Sequence, residues 1–142
     1  MPTAVMSEQL TRRNIASGAP WEAIVGYSRA VRVGPFVFVA GTTATDAEGR
    51  VVGEGDPYAQ ASECFRKVGD ALEQAGASLQ DVVRVRMYVT NADNWEEIGR
   101  AHNEVFADVL PATTLVEVSR LLDPAMLVEV EVDAVATAEP AG

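Results

Sequence analysis

The chain has 142 residues, of which 48% are hydrophobic and 23% are charged, a composition typical of one soluble globular domain. Its 21 acidic and 11 basic residues give a formal net charge of -10, which disfavours a nucleic-acid partner because phosphate contacts depend on Lys and Arg. The single cysteine, Cys64, excludes an intrachain disulfide, and with the single histidine, His102, it offers no His/Cys metal site. We therefore expect no bound metal.

No apolar run approaches the ~20 residues that a membrane-spanning helix needs. Residues 1–10 have neither the basic region nor the apolar region of a signal peptide, so we expect a cytoplasmic protein without a membrane partner. The expected organisation is a loosely held N-terminal segment over residues 1–20, a single domain over residues 21–137 and a C-terminal tail over residues 138–142.

Four strands are expected before the first helix. Gly34 and Pro35 form a turn between the second and the third. The third contains the most strongly strand-like run of the chain, from Phe36 to Ala40, which we interpret as a buried central strand. The expected strands lie near residues 10–14, 30–33, 36–43 and 50–52.

A first helix is predicted after Asp56, which can cap the free amides, and Pro57, which has no amide to lose. Gly76 ends it. Apolar residues recur at spacings of three and four, so the helix lies on a sheet. The inner face is expected to be Ala61, Phe65, Val68, Leu72 and Ala75, and the outer face Gln60, Glu63, Lys67, Asp70 and Gln74.

A strand over residues 82–90 and a second helix follow. Asn94, with Glu97 three residues later, is the expected cap of this helix, and Leu110 and Pro111 stop it. The strand directs Val83, Val85, Met87 and Val89 to one face and Arg84, Arg86 and Tyr88 to the other. The inner face of the helix is expected to be Trp95, Ile98, His102, Val105, Phe106 and Val109.

Residues 110–136 form two alternating runs, which we interpret as an antiparallel strand pair with a valine-rich face and an acidic face. Two helices can cover only one face of the resulting sheet. The uncovered face needs a second subunit, which predicts a homo-oligomer. That face is expected to gather Arg84, Arg86, Tyr88, Leu115, Glu117, Leu127, Glu129, Glu131 and Asp133.

Several ordered motifs resemble the Rid family, also called the YjgF family. They are the runs over residues 75–90, 110–118 and 130–136, together with Gly26-Tyr27-Ser28 and Val39-Ala40-Gly41. The resemblance implies an α+β fold like that of the small chorismate mutases, with a mostly antiparallel sheet of about six strands and two helices on one face. It further implies a homotrimer with a small-molecule pocket at each subunit interface.

Members of the archetypal type hydrolyse reactive enamines and imines without a cofactor. The resemblance assigns Glu131 to the catalytic water, Tyr27 to the pocket wall, and the backbone around Thr114 and Leu115 to the substrate. Thr113 stands where that type has the arginine that holds the substrate carboxylate. A guanidinium makes two charge-assisted hydrogen bonds and a threonine offers one hydroxyl, so the substrate need not carry a carboxylate. Polarity is also lost at Ala40 and Gly99.

Each candidate also has a structural interpretation. Glu131 can pair with Arg84 and Arg86, and Thr113 can simply favour β structure. Tyr27 can be a half-buried aromatic, while His102 and Cys64 fit packing roles better than catalytic ones. Three loose cations near strand ends are candidate substitutes for the missing clamp, namely Arg29, Arg32 and Arg120.

The sequence therefore favours a Rid-like protein that hydrolyses an imine or enamine, with Glu131 and Tyr27 at its site. The alternative is a non-catalytic ligand-binding or accessory protein on the same trimer. A ribonuclease is disfavoured by the net charge of -10.

Overall fold

One six-stranded sheet carries two long helices on one face in the computed structural model, which describes residues 10–136. This confirms the predicted α+β class. The elements in chain order are β1 Arg12–Ile15, α1 Pro20–Val25, β2 Ala30–Val33, β3 Phe36–Thr43, α2 Pro57–Gln74, β4 Val82–Val89, α3 Trp95–Phe106, β5 Ala112–Glu117 and β6 Val128–Val135. The predicted tail over residues 138–142 and residues 1–9 of the N-terminal segment lie outside the described residues.

The strand order is β1-β2-β3-β6-β4-β5, and every neighbouring pair is antiparallel except β4 and β5. The predicted pairing of β5 with β6 is therefore wrong, because β4 lies between them. The reason is the crossover through α3: a strand, a helix and a second strand form a βαβ unit, which makes β5 parallel to β4. Alternation in sequence identifies a strand but not its neighbour.

The core lies between the sheet and helices α2 and α3. Val128, Val130 and Val132 of β6 are fully buried under these helices, as the valine-rich face predicts. Each such side chain contributes about 1.5–3 kcal/mol by leaving water. Most predicted inner residues of the helices are also buried, among them Ala61, Phe65, Val68, Leu72, Ile98 and Phe106.

One position in each of β4, α3 and α2 differs from its predicted face. Val83 is 48% exposed because the pairing between β4 and β6 shifts between Val82 and Arg84, which turns Val83 away from the core. Trp95 is the first residue of α3 and is 59% exposed. Gln60, predicted on the outer face of α2, is 0% exposed, because it bonds the chain that covers this end of the helix.

Helix α2 begins as predicted, since the Asp56 carboxylate accepts a hydrogen bond from the Ala59 amide at 3.0 Å. Asn94 occupies the N-cap position of α3, as predicted, but within the described residues its side chain makes no cap hydrogen bond. Asn91 instead accepts a hydrogen bond from the Asp93 amide in the turn before α3. The predicted strand over residues 50–52 is reduced to one bridge between Thr45 and Val51.

The short helix α1 was not predicted. Its Glu22 is buried and accepts hydrogen bonds from the Ser17 amide, at 3.0 Å, and from the Ser17 hydroxyl. The helix ends at Gly26, whose φ of 92° favours glycine, and this turn places Tyr27 beside the sheet. Among residues 10–136, no helix has the length and apolar character to cross a membrane.

Candidate functional site

The face of the sheet opposite α2 and α3 is uncovered and carries both apolar and charged side chains. Phe36 and Phe38 of β3 are 45% and 48% exposed on it. The strand registers place Phe38 beside Asp133, and Arg86 beside both Glu131 and Thr114. Half-exposed aromatic residues next to charges are typical of a surface that meets another molecule. We call this surface the open face.

Glu131 is held on the open face by two residues of β4. The Tyr88 hydroxyl donates a hydrogen bond to Glu131 Oε1, and this bond raises the pKa of Tyr88. Arg86 Nη1 lies 3.9 Å from Glu131 Oε1 and 3.3 Å from Asp133 Oδ2. The structural interpretation of Glu131 as a partner of Arg86 is thus observed, and the same contacts give its carboxylate a fixed position.

Two cavities meet at Tyr27 and Glu131. The first, of about 520 Å³, lies over β1, β2 and β3 and includes Asn14, Phe38 and Asp133 in its wall. The second, of about 1090 Å³, extends past α1 toward α2. Tyr27, Ala40 and Glu131 line both cavities, so the predicted tyrosine and glutamate do come together.

Arg29 lies in the wall of the larger cavity, beside Tyr27. Its Nη2 donates a hydrogen bond to the Gly41 carbonyl at 2.8 Å, and its guanidinium carbon is 5.8 Å from the centre of the Tyr27 ring. Its Nε is buried and has no hydrogen-bond partner among the described residues. Of the three candidate cations, Arg29 therefore reaches the cavity that Tyr27 and Glu131 share.

The other two candidate cations are placed differently. Arg32 donates hydrogen bonds to the carbonyls of Gly34 and Ala75, both at 2.8 Å, and to that of Gly76 at 3.2 Å, so it joins β2 to the end of α2. Arg120 is exposed in the connection between β5 and β6. Neither lines the two cavities.

Glu129 is a member of this site that the sequence did not single out. The register between β3 and β6 shifts between Val39 and Thr42, and the Glu129 carboxyl lies against Gly41 at that irregularity. A Cβ on Gly41 would stand 2.3 Å from Glu129 Oε2, so any larger residue there would force the Glu129 carboxylate to move. Burial raises the pKa of Glu129, while nearby Arg29 partly offsets this. Alternation alone gives Glu129 the same appearance as Glu131 and Asp133.

Thr113 does not share a face with Glu131, contrary to the prediction. Its hydroxyl donates to the Pro111 carbonyl at 3.2 Å and lies 3.0 Å from Nε2 of His102 on α3. It is in register with buried Val85, so its side chain belongs to the helix side of the sheet. Residues 113–116 are two threonines followed by two aliphatic residues, a sequence that does not distinguish the two faces.

The side chains next to Thr113 follow the same reversal. Leu115 packs against the core, although it was expected on the open face. Thr114 is exposed and in register with Arg86, so β5 presents this residue to the open face. Glu117 accepts a hydrogen bond from the Ala92 amide at 2.9 Å and does not join the acidic group on β6.

His102 and Cys64 have packing environments. The His102 ring lies 4.8 Å from the centre of the Phe106 ring and 5.8 Å from that of Phe65, and burial lowers its pKa. Burial raises the pKa of Cys64 to about 12, which leaves the thiol unreactive at neutral pH. No cluster of three metal-binding side chains occurs within residues 10–136.

Comparison with known proteins agrees with this fold. The family model described as Endoribonuclease L-PSP matches residues 17–136. The protein is a member of the YjgF (Rid) family. A Mycobacterium tuberculosis structure of the YjgF/YER057c/UK114 family is 45% identical, with a TM-score of 0.81, and the match covers 89% of this chain and 100% of that one.

Two relatives illustrate the range of the YjgF family. An uncharacterized protein of Streptomyces coelicolor is 40% identical over 129 residues, which are 91% of this chain and 95% of the relative. A protein of Dermatophagoides farinae named 2-iminobutanoate/2-iminopropanoate deaminase is 27% identical over 110 residues, or 78% of this chain and 86% of that protein.

Proposed function

We propose that this protein is a hydrolase of reactive enamines or imines that acts at a pocket completed by a second subunit. The observation that supports this proposal most strongly is the meeting of Tyr27 and the fixed Glu131 carboxylate where two cavities join. The deaminase name of the Dermatophagoides relative agrees with it. The protein supplies this chemistry from its own side chains, in the cytoplasm.

The proposed reaction adds water across a C=N bond. Glu131 accepts a proton from water as the water oxygen attacks the carbon of the protonated imine, which gives a neutral carbinolamine. Glu131 then returns this proton to the carbinolamine nitrogen, which leaves as ammonia while the hydroxyl group gives its proton to Glu131 and becomes the carbonyl of the product. Tyr27 forms the wall that orients the substrate, and Glu131 keeps its position through Tyr88 and Arg86.

The proposed assembly is a homotrimer in which the open faces turn inward. Phe36 and Phe38 would then leave water against another subunit, which is favourable at about 25 cal/mol per Å² of apolar surface. Thr114 and the backbone of Leu115 lie at the β5 edge of each open face, where they are proposed to reach the substrate. Thr113 contributes by holding His102 and the end of β5. Sedimentation at micromolar concentration should give three times the chain mass, and a monomer would contradict the assembly.

The hydrolysis proposal is tested by measuring ammonia and carbonyl product from 2-aminoacrylate and from imines that lack a carboxylate. The purified trimer should accelerate at least one of them over the reaction without protein, and Glu131→Ala should abolish the acceleration. Equal rates with the wild type and Glu131→Ala would remove Glu131 from the mechanism. Stabilisation by ligands without any ammonia release would instead establish the non-catalytic binding protein.

A further inference from the structure

Arg29 has far fewer hydrogen bonds than its guanidinium can make. Five N–H groups are available, and within residues 10–136 one bond is formed, to the Gly41 carbonyl. Nε is buried without a partner, and a charged donor left unpaired in this way is costly. Arg32, in contrast, donates to three carbonyls, and Arg66 donates to the carboxylates of Glu63 and Asp70. Arg29 is thus the arginine of this cavity with donors left for a ligand.

The charge of Arg29 is not cancelled by an ion pair. Glu129 is near enough to affect it electrostatically, but no carboxylate oxygen of the described chain lies within 4.0 Å of its nitrogens. The other cation facing this region, Lys67, is already occupied. Its ammonium donates to the Thr43 carbonyl at 2.8 Å and to the carbonyl and hydroxyl of Thr45 at 3.2 and 2.9 Å. An anion entering the cavity would therefore pair with Arg29.

Part of the remaining wall of the same cavity is apolar. Trp21 and Val25 of α1 line one side, and Leu122 and Met126 of the connection before β6 also contribute. Trp21, Val25 and Leu122 are largely exposed, which is unusual for such large side chains unless they meet a ligand or a partner. A ligand with one anionic end and one apolar end fits this division of the wall.

We propose that Arg29 binds the carboxylate of the ligand and that the apolar part of the cavity wall takes a hydrophobic substituent. The ligand class is a small carboxylic acid with an apolar side chain. This inference rests on the proposed function, because it names the class of substrate that the same site would hydrolyse. Arg29 would then supply the carboxylate contact that Thr113, which faces α3, does not offer.

Glu129 would modulate this recognition. Its carboxyl lies beside Gly41, whose carbonyl Arg29 binds, so its negative charge competes with the carboxylate of a ligand. The other titratable groups around Arg29 are Tyr27, Lys67 and Glu131. Removal of the Glu129 charge should strengthen anion binding, while removal of the Arg29 charge should weaken it. These opposite signs distinguish recognition of charge from general damage to the cavity.

The test is calorimetric titration of the full-length protein at pH 7.5 with benzoate, and with benzamide as its neutral counterpart. Wild type should bind benzoate more tightly than benzamide. Arg29→Gln should bind benzoate about 10- to 100-fold more weakly, the factor expected for one lost charge-assisted hydrogen bond, with benzamide unaffected. Arg29→Lys should retain part of the affinity. Arg66→Gln is the matched control, since Arg66 lines the same cavity but already has two carboxylate partners, and it should bind benzoate as wild type does.

Glu129→Gln should bind benzoate at least as tightly as wild type. Equal benzoate affinity in wild type and Arg29→Gln, or no preference of wild type for benzoate over benzamide, would overturn the inference. A similar loss in Arg29→Gln and Glu129→Gln would overturn it too, because packing rather than charge would then be responsible. Benzoate binding requires no turnover, so a protein that binds benzoate through Arg29 but hydrolyses no imine would contradict the proposed function alone.

Discussion

Gln60 connects helix α2 to the chain that leads into β6, and its replacement should be costly for stability. Its Nε2 donates to the Ala125 carbonyl at 2.8 Å and, more weakly, to the Gly53 carbonyl at 3.3 Å. Its Oε1 accepts from the Leu127 amide at 2.8 Å. Gln60→Met keeps the volume nearly constant but leaves the Leu127 amide and the Ala125 carbonyl without this partner.

Each buried backbone group left unpaired costs about 1–3 kcal/mol, so the two groups should lower the free energy of unfolding by about 2–6 kcal/mol. The assay is urea unfolding followed by circular dichroism, with Gln74→Met as the control, since Gln74 is exposed in the last turn of the same helix. Hydrogen exchange of the Leu127 amide should also accelerate in Gln60→Met. A loss of stability within about 0.5 kcal/mol of the control, the usual range of surface substitutions, would refute this reasoning.

Three further predictions concern the Asp56 cap of α2, Gly41 at the register shift of β3, and the half-buried His102. Asp56→Ala should lower the free energy of unfolding by about 1 kcal/mol in urea titrations, because the bond to the Ala59 amide is lost; no change would show that this cap is unimportant. Gly41→Ala should lower the free energy of unfolding by about 1–3 kcal/mol, since the new Cβ would stand 2.3 Å from Glu129 Oε2. The NMR resonance of the Glu129 carboxyl carbon should shift, and an unshifted resonance would contradict the contact. Burial lowers the pKa of His102 below its ordinary 6.5, so the unfolded chain takes up the proton first as the pH falls. The stability that neutral His102 contributes is therefore fully present above pH 6.5 and is lost as the pH falls toward the folded pKa. The difference in stability between wild type and His102→Gln should therefore shrink from pH 7.5 to pH 5, and a constant difference would show that His102 titrates normally.

The helices and the inner face of β6 could be predicted from sequence because their apolar residues recur with a clear period. Val128, Val130 and Val132 alternate with Glu129 and Glu131, so only one arrangement buries the valines. Tyr27 and Glu131 were named from family resemblance, and the structure brings them to the wall shared by two cavities. Their roles in binding and catalysis remain predictions.

The features that failed depend on tertiary contacts without a local pattern. Thr113 and Thr114 are chemically identical, so the orientation of β5 is decided by its register with β4 through the crossover helix α3. Gln60 is polar and has the spacing of an outer residue, but the segments before α2 and before β6 offer it three hydrogen-bond partners. Arg29, Arg32 and Arg120 were equivalent candidates in the sequence for the missing clamp. Only the structure shows that Arg29 has unused hydrogen-bond donors and lines the cavity.

The proposed role of Glu131 as general base is tested most directly by comparing the rates of ammonia release by Glu131→Gln and by Asp133→Asn. Both carboxylates belong to β6 and lie near Arg86 of β4, since Arg86 Nη1 is 3.9 Å from Glu131 Oε1 and 3.3 Å from Asp133 Oδ2. The two variants therefore disturb the same charge network. We predict that Glu131→Gln loses about 10²- to 10⁴-fold in rate, as expected for removal of a general base, while Asp133→Asn stays within a few-fold of wild type. Equal losses in the two variants, or a wild-type rate no faster than the reaction without protein, would contradict the proposed role of Glu131.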